Sequence, residues 1–162
     1  EFGDLVGWNY EPAALAGTLA AHNAVRDGVG VGMAPLIWDG YLAATAQAWA
    51  EGCVDLAAPI GVLDHNPDRS TGYPWYVGEN IAASGGTLSG PAAVGIWAAE
   101  AAFYHYPNNS CDNGQTCGHY TQLVWAATER VGCGTALCPT LQFGWAVVCN
   151  YGPGGNTGGL PY

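Results

Sequence analysis

The sequence predicts an α+β domain, with helices layered on a sheet and disulfides stapling the two. Three observations predict it. Helical periodicity fills segments 11–30, 38–53 and 90–106, segments reading as strands come late at 130–138 and 141–151, and six cysteines are spread through a single 162-residue chain. Strands that gather near the end, rather than alternating with helices, argue against repeated βαβ units. The length suits one domain with one sizeable core. No linker divides residues 1–162, and no fixed period marks a repeat architecture.

In "EPAALAGTLAAHNAVRDGVG" (11–30), Leu15, Leu19, His22, Val25 and Arg26 fall at helical spacing. Pro12 suits the first turn, and Gly28 and Gly30 close the segment. In "WDGYLAATAQAWAEGC" (38–53), Asp39 is positioned to cap a second helix, with Leu42, Ala46, Trp49 and Cys53 on one face. In "GPAAVGIWAAEAAFYHY" (90–106), Pro91 fits the first turn of a third helix, with Trp97, Glu100 and Tyr104 along one side. "CGHYTQLVWAAT" predicts a short fourth helix. "RVGCGTALC" and "LQFGWAVVCNY" predict antiparallel neighbouring strands. Residues 57–90 read as a long irregular region rich in Gly and Pro, the kind of loop that carries function. The tail 152–162, "GPGGNTGGLPY", predicts no regular element. The opening "EFGDLVGW" shows no leader and reads as an already processed end.

Composition excludes several functions. The formal charge is -10, and only Arg26, Arg69 and Arg130 are basic. Nucleic acid and anionic membrane surfaces are repelled by such a chain. The plain meaning of the acidity is solubility. No run approaches the length of a transmembrane segment. The even set of cysteines indicates three disulfides and an oxidising compartment. Zinc is the alternative, but no C-x-x-C pair occurs, and sequence alone leaves fifteen pairings. Paired cysteines leave no thiol nucleophile. Nucleophile-elbow, P-loop, zincin and dinucleotide signatures are absent.

What remains is polar residues set in aromatic or apolar sequence. His65 lies in "VLDHNP", Glu79 in "YVGENIA", Glu100 on an apolar helix and His119 between Gly118 and Tyr120. A buried carboxylate is costly without a partner, so these four can satisfy one another in a cleft. Alternatively each glutamate caps or pairs locally. His22 reads as a satisfied core residue. His105 reads as structural, ending the third helix where a cation suits the dipole.

"HNAVR", "WD", "AWAEGC", "DHN", "GEN", "WAAEAAFY", "CGHYTQLVW", "VGCG", "CNYGPGGN" and the closing "PY" follow one another along nearly the whole chain. This series resembles the CAP superfamily, which includes cysteine-rich secretory proteins, insect-venom antigens and class-one plant pathogenesis-related proteins. The resemblance implies a three-layer α-β-α sandwich over residues 1–162. It implies a central cleft of His65, Glu79, Glu100 and His119, with His65 and His119 as ligands should zinc or magnesium bind. It implies the disulfides Cys53–Cys138, Cys111–Cys117 and Cys133–Cys149. It also implies an extracellular, non-enzymatic module that binds a sterol or fatty acid or serves in defence. Its apolar groove is expected apart from the cleft, flanked by a loop such as 84–90. A metal-dependent, protease-like hydrolase is the alternative, and an unidentified extracellular protein partner a third reading. The sequence departs from the resemblance in its tail, where "TGGL" puts four residues between "GN" and "PY" instead of five. It departs also in its acidity, unlike the basic antimicrobial members.

Overall fold

The computed structural model describes residues 10–162, so the reading of the first residues lies outside the described part. The elements in chain order are α1 (Thr18–Val29), β1 (Ile37–Trp38), α2 (Gly40–Gly52), β2 (Gly78–Ser84), α3 (Gly90–Ala98), β3 (Tyr104–His105), β4 (Ser110–Cys111), α4 (Gly118–Leu123), β5 (Arg130–Leu137) and β6 (Trp145–Gly152). One sheet has the order β1-β5-β6-β2. The β1–β5 pair is parallel and the others are antiparallel. A separate ribbon pairs β3 with β4.

The sheet is sandwiched because β6 is apolar on both faces. Val147, Cys149 and Tyr151 join Leu15, Val94, Trp97 and Leu123 in one core. Ala146 and Val148 join Ala46, Ala50, Leu63 and Leu141 in the other. This is period-two alternation with both sides buried. Helix α2 lies directly on β5. A Cβ added at Gly132 would sit 2.2 Å from the Ala43 nitrogen, and one at Gly134 would sit 2.3 Å from the Gln47 Cα. Only glycine permits that approach. The three disulfides are Cys53–Cys138, Cys111–Cys117 and Cys133–Cys149, the pairs that the resemblance implies. No cysteine is left for zinc or for nucleophilic chemistry.

Several expected elements differ. The segment 11–30 is not one helix: Ala13–Leu15 forms a 3-10 turn, and α1 begins only after Gly17, whose φ is +86°. A glycine cap has no side chain, and the Glu11 carboxylate takes its place by accepting from the Gly17 and Leu19 N–H groups. Asp39 caps α2 as expected, accepting from Tyr41 and Leu42 at 2.9 and 3.0 Å. The third helix stops being α at Ala98 and continues as a 3-10 turn, Ala99–Phe103. Tyr104 and His105 then pair with Cys111 and Ser110. His105 therefore ends no helix. Its Nε2 meets Asp112 Oδ1 at 2.6 Å on an exposed ribbon. The region 57–90 contains β2, seven residues with Ile81 as the single β-branched one, held as a strand by β6.

Two buried polar residues of "HNAVR" fasten α1. Arg26 donates to the carbonyls of Ala34, Leu123, Trp125 and Thr128. Burial lowers its pKa to about 10, so it stays charged at neutral pH. His22 is the satisfied core residue expected: its Nδ1 donates to the Thr18 carbonyl at 2.8 Å, and its Nε2 accepts from the Tyr151 hydroxyl at 2.9 Å. Burial lowers its pKa to about 4 and pushes that of Tyr151 well up.

Candidate functional site

β2 is an edge strand of the sheet, and its alternation sends consecutive residues to opposite faces. Glu79 shares a face with Ile81, and Ile81 packs in the core beneath α2. The Glu79 side chain is fully buried, while that of its partner His65 is 59% exposed. His65 Nδ1 donates to Glu79 Oε1 at 2.7 Å, and the Asn66 backbone N–H donates to the same oxygen at 3.0 Å. Arg69 fixes this loop by donating to the carbonyls of Asn66 and Val77, at 2.7 and 2.8 Å. Glu79 Oε2 and both polar atoms of the Asn150 amide are buried without a protein hydrogen-bond partner. Glu79 and Asn150 are directly opposed across β2 and β6.

The second pair sits on the other helical layer. Glu100 lies three residues after Trp97, on the 3-10 extension of α3. Its Oε1 accepts from His119 Nδ1 at 2.6 Å and its Oε2 from the Tyr120 N–H at 2.9 Å. One carboxylate thus both orients the imidazole and satisfies an orphan donor in the first turn of α4. Trp97 stacks on the His119 ring, with centroids 6.3 Å apart and planes at 22°.

Asn80, the chain neighbour of Glu79 on β2, bonds to the second half. Its side-chain amide donates to the His119 carbonyl at 3.1 Å and to the Tyr151 hydroxyl at 3.2 Å. The structure therefore pairs His65 with Glu79 and His119 with Glu100, across a shared strand. In each pair Nδ1 is committed to a carboxylate, the arrangement that leaves Nε2 of a neutral ring as a ligand or acceptor. Among the described residues, no group of three or more His, Cys, Asp or Glu side chains is placed to hold a metal ion. The four residues therefore do not form a cage of three or more protein ligands for a cation. Sequence reasoning missed Asn80 and the buried Gln122. Gln122 Oε1 accepts from the Gly155 N–H at 2.8 Å and ties the tail to α4. Both lie beside residues singled out in "GEN" and "GHYTQ", and that adjacency was the available signal.

A cavity of about 760 Å³ opens beside the first pair. Trp49, Leu56, Leu63, His65, Ile81 and Phe143 are among its walls. The loop 84–90 does not line it. Leu88 is instead buried in the core, and Ser89 caps α3. The cavity is thus walled by parts of 54–67, by Trp49 and Phe143, and by Ile81 and Ala83 of β2, and of the four paired residues only His65 is in its lining.

An α-β-α sandwich closed by three disulfides, with two carboxylate–imidazole pairs joined across an edge strand, defines the class of protein. The sequence profile of the cysteine-rich secretory protein family, CAP, matches residues 19–151, and the chain belongs to that family. It is similar to "Pathogenesis-related leaf protein 4" of Solanum lycopersicum, 42% identical over 145 residues, covering 89% of this chain and 80% of the relative. Among solved structures it is similar to venom allergen-like protein 4 of Schistosoma mansoni, with a TM-score of 0.71 and 26% identity, covering 90% of this chain and 92% of that one. It is also similar to NaASP2, solved with Zn2+, with a TM-score of 0.70 and 26% identity, covering 95% and 87%.

Proposed function

We propose that this protein is a secreted, non-catalytic binding module that takes an apolar ligand, a sterol or fatty acid, in the groove beside His65. The observation that carries this reading is the cavity itself. Its volume of about 760 Å³ falls within the range of small-molecule sites, and its walls are mostly aliphatic or aromatic, with few polar groups. Three disulfides and the family to which the chain belongs support an extracellular setting. The names of its plant relatives support a role in defence. No helix among the described residues is long and apolar enough to cross a membrane.

Saturable binding of radiolabelled cholesterol and palmitate, at low and high salt, tests the proposal. The account expects binding to at least one that survives salt, because the contacts are apolar. Leu56→Asp, at a residue 87% exposed, weakens it about tenfold or more, whereas Glu100→Ala leaves it unchanged. Absence of saturable binding to both ligands transfers the weight to an extracellular protein partner.

A second reading, a divalent cation at His65 and His119, is favoured by the Nδ1–carboxylate bonds and by a structural relative solved with Zn2+. Calorimetric zinc titration of the wild type and of His65→Ala/His119→Ala separates the cases, and equal affinity in both contradicts it. The metal-dependent hydrolase alternative gains no support from the ligand set, since catalytic zinc sites usually need three protein ligands.

A further inference from the structure

A second cavity, of about 520 Å³, lies against the N-terminal half of α2 and has a different chemistry. Three of its lining residues are Tyr41, Tyr73 and Trp75, and two more are Thr45 and Thr71. Tyr73 and Trp75 are stacked, with centroids 5.0 Å apart and planes at 26°. Tyr41 is 65% exposed, more than a core or cap role requires. Asp39, also in the lining, is held rigid: Oδ1 accepts two backbone N–H groups, and Oδ2 pairs with Arg130 at 3.3 Å. The Tyr73 hydroxyl lies 3.3 Å from Thr45 Oγ1. Aromatic side chains thus stand beside hydroxyl groups and a fixed carboxylate in one wall.

That combination selects its ligand. Among the described residues of the wall, an acyl chain finds Ala44 as the only aliphatic side chain. A polyanion meets a protein of formal charge -10. A sugar ring offers C–H faces that lie on aromatic rings, and hydroxyls that both donate and accept. We propose that this cleft binds a neutral oligosaccharide, with its ring faces on Tyr41 and the Tyr73–Trp75 stack and its hydroxyls bonded to Thr45, Thr71 and Asp39. The site is independent of the apolar groove, and neither proposal rests on the other.

Isothermal titration of the whole chain with neutral hexasaccharides (a β-1,3-glucan, a β-1,4-glucan and chitohexaose), beside a heparin hexasaccharide, tests it. The expected result is saturable binding of at least one neutral hexasaccharide with a Kd of about 0.1–1 mM, and weaker or no binding of heparin. Tyr41→Ala and Thr71→Val each lower that affinity about fivefold or more, without shifting the thermal midpoint, because both residues are exposed and outside the core. Cholesterol and palmitate binding are unchanged in these variants. The proposal is overturned by absence of saturable heat with all three neutral sugars, by unchanged affinity in both variants, or by heparin binding as tightly as the neutral ligands.

Discussion

His22 has no solvent to share a charge with, and its two ring nitrogens are already committed to Thr18 and Tyr151. Its pKa is lowered from 6.5 to about 4, first of all by burial. The unfolded chain therefore binds a proton that the folded chain refuses. The stability this group contributes is complete above about pH 6.5 and is lost as pH falls toward about 4. A shift of that size corresponds to about 3 kcal/mol. Urea unfolding at pH 7.5 and 4.5 should show the wild type losing about 2–3 kcal/mol more than His22→Gln. Equal losses in the two proteins would mean that His22 is not the linked group. Its helical spacing with Leu15 and Leu19 made His22 legible as a core residue. Its partner Tyr151, 129 residues away, was not legible. The same limit held at the site. Polar residues in apolar sequence marked His65, Glu79, Glu100 and His119 as candidates, but only the folded chain shows which glutamate meets which histidine.

The seat of α2 on β5 is a close backbone-to-backbone joint. An alanine Cβ at 132 meets the Ala43 nitrogen at 2.2 Å and the Asp39 carbonyl oxygen at 2.4 Å, both backbone atoms that cannot swing away. Gly132→Ala should cost at least about 1–3 kcal/mol in urea unfolding. Gly28→Ala, inside α1 with nothing within 4 Å of the new methyl, should be neutral or gain up to about 1 kcal/mol. Equal effects at the two positions would contradict the packing described. Elements were legible where their own residues determine them. Asp39 announced the start of α2, and the alternation at 145–151 announced β6. They were hidden where a distant partner decides. "GENIAAS" is a strand because β6 supplies seven partners, and the alanine-rich 99–103 tightens to a 3-10 turn ahead of the β3–β4 ribbon.

Across the whole molecule the disulfides span very different loops. Cys53–Cys138 has a sequence separation of 85 and Cys111–Cys117 of 6. The chain-entropy model assigns about 4–5 kcal/mol to the long loop and about 2–2.5 to the short one. Replacing both cysteines of each bridge by alanine should therefore cost about 2 kcal/mol more at 53 and 138 than at 111 and 117. A larger loss from the short loop would point to native packing rather than chain entropy as its source. At this scale the family motifs made the sandwich and the pairings readable, while the cavity beside His65 was not announced by any one segment. Its walls come from Trp49, parts of 54–67, Ile81, Ala83 and Phe143, which are far apart in sequence, and Leu88 of the loop 84–90 is buried in the core instead.

That location is the central claim, and two-dimensional amide NMR with titrated palmitate and cholesterol tests it most directly. The account predicts saturable shifts concentrated at Leu56, Leu63, His65, Ile81, Ala83 and Phe143, with Tyr41, Thr71 and Glu100 unmoved. Saturable shifts confined to α1, α3 or the loop 84–90, with the groove residues silent, would contradict it.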